Sequence, residues 1–196
     1  MQSPSFKLAL LASGDGSNAE VIMKYFSHHP HTRVVLVLTN NSKAGVLARA
    51  SQFNIPTRIF EKKQFAETRE VVEWLKATGV THIVLAGFLW LIPPAILKAY
   101  PARIINIHPA LLPKFGGKGM YGRKVHEAVR ASDEKETGIT IHLVNEHFDE
   151  GEILFQKKCE VALSDSVYQI EQKVRMLEYE YFPKVIEQWV NGSVIS

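Results

Sequence analysis

Cysteine is almost missing from this chain. One residue, Cys159, among 196 leaves no partner for an internal disulfide and excludes a Cys-rich zinc cluster, and it fits a reducing compartment. No run of residues approaches the roughly 20 apolar positions of a membrane span. Met1 to Ser5 have neither the charge nor the apolar core of a signal peptide. The expected location is therefore cytoplasmic. An excess of one charge is lacking too: 23 Lys and Arg against 20 Asp and Glu leave a net +3 spread along the chain, which is too little for a nucleic-acid footprint. Repeats, low-complexity tracts and linkers are likewise absent. At 46% hydrophobic and 22% charged residues, what remains is the composition of one soluble domain spanning residues 1–196.

Two nucleotide motifs are incomplete in an informative way. Phe6 to Ala12 (FKLALLA) reads as a buried parallel strand that runs directly into Ser13-Gly14-Asp15-Gly16-Ser17-Asn18. Ser17 and Glu20 form a capping-box pattern ahead of Val21, Ile22, Tyr25 and Phe26, so a helix is expected from about Ser17. A glycine-rich loop that delivers a helix N-terminus offers free N–H groups to a phosphate. Gly14-x-Gly16-x-x-Ala19 also satisfies the looser dinucleotide fingerprint. The next strand, Arg33 to Thr39, nevertheless ends in Thr39-Asn40-Asn41, without the acid that would hold a ribose, and no Gly-Lys-Ser or Gly-Lys-Thr completes a Walker loop. A lone phosphate group is the favoured ligand, with a purely structural turn as the alternative.

Further along, periodicity predicts helices over Gly45 to Phe53 and Phe65 to Ala77, the latter projecting Arg69, with a short strand at Thr57 to Ile59 between them. His82 to Ala86 is another buried strand. It ends in Gly87-Phe88-Leu89-Trp90-Leu91-Ile92-Pro93-Pro94, an apolar loop that either lines a pocket or packs under the helix expected at Pro94 to Tyr100. A helix over Tyr121 to Ala131, strands over Ile139 to Val144 and Glu152 to Val161, and a long helix behind the Ser166/Gln169 capping box complete the chain. Val167, Ile170, Val174, Leu177 and Tyr181 make that helix's apolar stripe, and Pro183 is expected to kink or interrupt it. The alternation predicts an α/β, Rossmann-like, mostly parallel sheet with helices on both faces, closed by a C-terminal strand pair and long helix.

The most informative stretch is Ile104-Ile-Asn106-Ile-His108-Pro109, within a strand expected over Arg103 to His108. Alternation puts Asn106 and His108 on one face, and Pro109 stops the strand there, so both stand at its carboxyl end, where open α/β sheets hold ligands. A carboxamide donor beside an imidazole suits a developing oxyanion. Asp149, in the turn Phe148-Asp149-Glu150-Gly151, has a plain turn role as its alternative.

Asn106-Ile-His-Pro-Ala-Leu-Leu-Pro113-Lys114 resembles the signature of the folate-dependent formyltransferases. Three more segments are similar to the branch of that family acting on glycinamide ribonucleotide. They are Gly14-Asp-Gly-Ser-Asn18 for its phosphate loop, Val84-Leu-Ala-Gly-Phe88 for the entry to its folate pocket, and Phe148-Asp149-Glu-Gly151 for its aspartate turn. The resemblance covers nearly the whole chain. It implies a single domain of formyltransferase fold that moves a formyl group from the co-substrate 10-formyltetrahydrofolate to the ribonucleotide amine, in purine synthesis, without a metal. It further implies that Asn106 and a protonated His108 donate to the oxyanion, and that Asp149 favours the imidazolium and helps pass the proton. Gly16, Ser17 and Asn18 would hold the phosphate. Glu178 would face the glycinamide end, Arg69 would lie near both substrates, and Leu89, Trp90, Leu91 and Ile92 would line the pterin pocket, largely through backbone groups.

Small molecules are then the expected partners, with no nucleic acid or membrane, for a monomer or homodimer. Trp90, where some family members carry arginine, and the unusual run Gly116-Gly-Lys-Gly119 depart from the pattern, and the resemblance suggests a cis Leu112-Pro113 bond. The alternatives are a formyltetrahydrofolate hydrolase using the same three residues and a nucleotide-binding module without catalysis.

Overall fold

The structure is a computed structural model that describes residues 5–193. Residues 1–4, most of the Met1 to Ser5 stretch from which no signal peptide is expected, lie outside the described residues, as do residues 194–196. The chain forms two compact units, Met1–Ile105 and Asn106–Ser196.

The first unit contains β1 (Phe6–Leu11), α1 (Ser17–Phe26), β2 (Thr32–Thr39), α2 (Val46–Gln52), β3 (Thr57–Ile59), α3 (Lys62–Ala66), α4 (Glu70–Ala77), β4 (His82–Leu85), α5 (Pro94–Ala99) and the start of β5 (Ile104–His108). Its strands lie in the order β3-β2-β1-β4-β5, and β1 pairs in parallel with both β2 and β4. The apolar run of β1 is central for that reason: Leu8 to Ala12 have no exposed surface, as expected of a parallel strand with neighbours on either side.

Two local expectations fail here for identifiable reasons. The single helix predicted over Phe65 to Ala77 is two helices. Thr68 divides them, its hydroxyl donating to Gln64 O at 2.9 Å to end α3 and accepting from Glu70 N at 3.2 Å to begin α4. Threonine's short hydroxyl competes for backbone groups in this way. Arg69 therefore stands at the N-cap of α4. The Ser17/Glu20 capping box does not form either: Gly16, at φ 79°, is the N-cap of α1 without a side-chain cap, and Glu20 pairs with Arg49 of α2.

The second unit holds the end of β5, α6 (Arg123–Ala131), β6 (Glu136–Leu143), β7 (Ile153–Glu160) and α7 (Val167–Val190). Its strands follow the order β5-β6-β7, and β6 and β7 form an antiparallel pair with Ile139 opposite Lys157 and Ile141 opposite Phe155. The Ser166/Gln169 capping box is present at the start of α7. Pro183 does not interrupt that helix, which runs for 24 residues. Phe182, Pro183, Val185 and Ile186 are all buried, so packing offsets the hydrogen bond that proline removes. Ile170 and Val174 of the predicted stripe are buried, while Tyr181 is half-buried and stacks on Phe155 with ring centres 5.3 Å apart. The Leu112-Pro113 bond is cis. Cys159 lies half-buried in β7, and burial pushes its thiol pKa up. Among the described residues, no helix is long and apolar enough to cross a membrane.

Candidate active site

The second unit gathers four polar side chains at the end of β5. Asn106 and His108 reach it through strand alternation. Asp149 reaches it from the β6–β7 connection, where its backbone adopts φ 58°. The connection can approach β6 closely because Gly151 lacks a side chain: a Cβ there would sit 1.7 Å from Leu143 O. One Asp149 oxygen accepts the Gly117 N–H at 2.9 Å and lies 3.4 Å from His108 Nδ1. The other accepts from Asn106 Nδ2 at 3.4 Å.

The fourth member, His142 of β6, was not anticipated. Its Nδ1 donates to Leu143 O at 2.8 Å, and its Nε2 lies 3.2 Å from Asn106 Nδ2 and 3.5 Å from Asp149 Oδ1. A signal for it was available. Thr140 and His142 alternate as polar residues in an apolar strand, as Asn106 and His108 do.

Hydrogen bonding also fixes the His108 tautomer. Nε2 lies 2.7 Å from Phe115 O, and a carbonyl only accepts, so Nε2 carries the hydrogen. In the neutral ring, the lone pair on Nδ1 then faces the carboxylate of Asp149. A proton arriving at Nδ1 converts that contact into a charge-assisted hydrogen bond. His108 is 3% exposed. Burial, the largest influence, lowers its pKa below 6.5; the Asp149 charge and the Phe115 carbonyl oppose this, and His142 adds to it. The expected preference for imidazolium is therefore outweighed by burial. For Asp149, burial pushes the pKa up, but the interactions with His142, His108 and Gly117 N–H together hold it below 3.8. The pair is a carboxylate waiting beside a neutral imidazole.

The loop after β5 is held by one hydroxyl. Thr140 Oγ1, fully buried, donates to Ala110 O at 2.7 Å and accepts from Leu112 N at 3.0 Å and Gln156 Nε2 at 2.9 Å. Gly116 sits where a Cβ would be 2.4 Å from Leu112 Cδ2, which accounts for part of the unusual glycine run. Glu178 is half-buried in α7.

In the first unit, the loop after β1 and the loop after β4 are tied through Ser13, whose N–H donates to Gly87 O at 3.0 Å and whose hydroxyl accepts from Leu89 N at 3.1 Å. Gly16 supplies the left-handed turn into α1, and Ser17 and Asn18 are its first residues. Leu89 and Leu91 are exposed, whereas Ile92 is 2% exposed and its side chain belongs to the core. Trp90 is half-buried on Phe60, Phe65 and Phe88, with ring centres 5.9 to 6.4 Å away. Arg69 is exposed. Among the described residues no group of three or more His, Cys, Asp or Glu is arranged to hold a metal ion.

A strand-end Asn and His facing an Asp carboxylate in an α/β fold are the groups that a transfer reaction through an oxyanion calls on. The chain belongs to the formyl transferase family, whose sequence model matches residues 6–186. It is 40% identical over 186 residues to the chloroplastic phosphoribosylglycinamide formyltransferase of Arabidopsis thaliana, which covers 92% of this chain and 64% of the plant protein. The chain thus spans less than two-thirds of that relative. Identity to phosphoribosylglycinamide formyltransferase of Bacillus subtilis is 37%, covering 93% of both chains. The crystal structure of phosphoribosylglycinamide formyltransferase from Anaplasma phagocytophilum superposes with a TM-score of 0.85 at 29% identity, over 93% of this chain and 85% of the other.

Proposed function

We propose that this chain is a single-domain formyltransferase that moves the formyl group of 10-formyltetrahydrofolate to the primary amine of glycinamide ribonucleotide, a step in purine biosynthesis. The observation that carries the proposal is the Asn106, His108 and Asp149 constellation at the end of β5, on a chain whose relatives of similar length bear that activity in their names. The amine nitrogen attacks the formyl carbon, a C–N bond forms, and negative charge collects on the formyl oxygen. The Asn106 amide and the His108 imidazolium stabilise that charge. When the tetrahedral intermediate collapses, the bond from carbon to folate N10 breaks. The proton lost by the amine passes through the His108 and Asp149 pair to N10, so formylated ribonucleotide and tetrahydrofolate leave.

His108 enters this cycle neutral and takes its proton at Nδ1, facing Asp149. Donation to the oxyanion then requires Nε2 to exchange the Phe115 carbonyl for the formyl oxygen. Gly117 and Gly119, at φ 92° and 91°, give that loop the backbone latitude to move. Gly16, Ser17 and Asn18 hold the substrate phosphate, Glu178 binds the glycinamide end, and Arg69 binds near the two substrates. Leu89, Trp90, Leu91 and Ile92 bind the pterin, with Ile92 acting through its backbone. No metal takes part, and partners are these small molecules in the cytoplasm.

The test follows folate product formed from a 10-formylfolate in the presence of glycinamide ribonucleotide, no acceptor, or charged initiator tRNA. Turnover confined to the ribonucleotide, and lost on Asn106→Ala in a protein with unchanged circular dichroism, supports the proposal. Turnover without an acceptor marks a hydrolase, turnover with the tRNA marks another branch of the family, and silence in all three leaves a binding domain.

A further inference from the structure

The glycine-rich loop carries an electrostatic problem. Asp15 lies inside it and Glu20 in the first turn of α1, and a phosphate monoester near pH 7 brings a charge of roughly −1.5 to −2. Two uncompensated carboxylates beside the cradle would repel that dianion and oppose the favourable end of the helix dipole. Arg49 of α2 answers both. Its Nε donates to Asp15 O at 2.9 Å and one terminal nitrogen to Asp15 Oδ2 at 2.7 Å, while the other terminal nitrogen pairs with Glu20 Oε2.

The helix that supplies Arg49 is itself pressed onto the loop. Val46 N donates to Gly14 O at 3.4 Å. A Cβ on Gly45 would stand 2.9 Å from Asp15 O, and one on Gly16 would stand 2.5 Å from Val46 Cβ. Gly45, Val46 and Arg49 share one face of a helical turn, so that face shapes the loop and delivers the guanidinium to it.

We infer that Arg49 is a positioning residue for the phosphate end of the acceptor: it holds Asp15 and Glu20 and cancels their charge, which lets the loop accept a dianion. The inference rests on the phosphate-loop assignment proposed above. Arginine suits the task because its planar fork reaches a carbonyl and two carboxylates at once, which a lysine ammonium does not.

The experiment is isothermal titration of the full chain with glycinamide ribonucleotide and with the corresponding riboside lacking phosphate, alongside kcat and KM. The wild-type protein prefers the ribonucleotide. Arg49→Gln weakens ribonucleotide binding and raises its KM by about tenfold or more, leaves riboside binding unchanged and keeps kcat. Adding Asp15→Asn and Glu20→Gln to Arg49→Gln recovers most of the loss. Asp15→Asn with Glu20→Gln on an intact Arg49 tightens ribonucleotide binding, and this arm decides the matter if Arg49→Gln does not fold. A preference for the ribonucleotide that survives Arg49→Gln, an equal loss for both ligands, no recovery in the triple variant, or weaker binding in the double variant overturns the role of Arg49. A wild-type protein that binds both ligands alike overturns the phosphate-loop assignment itself, before any variant is made.

Discussion

Replacing Asp149 with asparagine isolates the charge from the shape of the site. Asparagine keeps the size of the side chain and can still accept the Gly117 N–H, so the β6–β7 connection has little reason to move. What disappears is a negative charge 3.4 Å from His108 Nδ1, between side chains 4% and 11% exposed. At an effective dielectric constant of about 20, a unit pair at that separation is worth ~5 kcal/mol. This is the ceiling on what Asp149 contributes to the imidazolium, and at ~1.4 kcal/mol per decade it corresponds to between three and four powers of ten. A loss of kcat of about a thousandfold is therefore expected, inside the range of general acid–base catalysis.

The pH profile gives the sharper test. Burial already holds the His108 pKa below 6.5, with Asp149 raising it, so removing the carboxylate lowers it further. The cycle begins with neutral His108, which exists only above that pKa, so the limb on which rate falls with falling pH must shift to more acid values in Asp149→Asn. Steady-state rates from pH 5 to 9 at saturating substrates, with denaturant curves confirming the fold, measure both quantities. A loss smaller than about tenfold, or an acid limb that stays in place, would refute the assignment of Asp149 as the partner of an imidazolium.

Other expectations follow from the same geometry. Gly16→Ala combines a left-handed φ of 79° with a Cβ 2.5 Å from Val46 Cβ and should cost about 3 kcal/mol of stability by chemical denaturation; a change below about 0.5 kcal/mol would contradict that packing. Thr140→Val removes the hydroxyl that joins Ala110, Leu112 and Gln156, with an expected loss of about 3 kcal/mol and a lower kcat, whereas unaltered unfolding would separate that network from stability. His82, whose pKa burial and then Arg103 lower from 6.5 to about 4, binds its proton more readily in the unfolded chain. Its contribution is present above pH 6.5 and is lost as pH falls toward about 4. Melting temperatures over that interval should decline less steeply in His82→Gln, and parallel curves would remove His82 from the account.

Much of the candidate site was legible because its side chains sit where strand periodicity and proline leave clear marks. Asn106 and His108 are two residues apart in front of Pro109, and a strand admits only one arrangement for that pattern. Asp149 was legible through its resemblance to a known turn, not through periodicity. His142 carried the same alternating signal with Thr140 but lacked a proline to mark the strand end, and antiparallel pairing decided which face it would share. The net pKa of His108 was beyond the sequence, since it depends on how far burial outweighs a neighbouring charge. Thr68 dividing α3 from α4 and Arg49 drawing Glu20 from its capping box are tertiary and side-chain events that local helix propensity does not register.

The side chains around the proposed proton path, Asn106, His108, Thr140, His142 and Asp149, come from one continuous stretch of chain, while the glycine-rich loop and Arg49 belong to an earlier one. In evolutionary terms, this separates two kinds of inheritance. On the proposed assignment, drift in the earlier stretch alters which acceptor is captured without touching the groups that handle the proton. A substitution within residues 106–149 is under a different constraint, because the strand end, its supporting hydroxyl and the aspartate turn depend on one another and must change together or not at all.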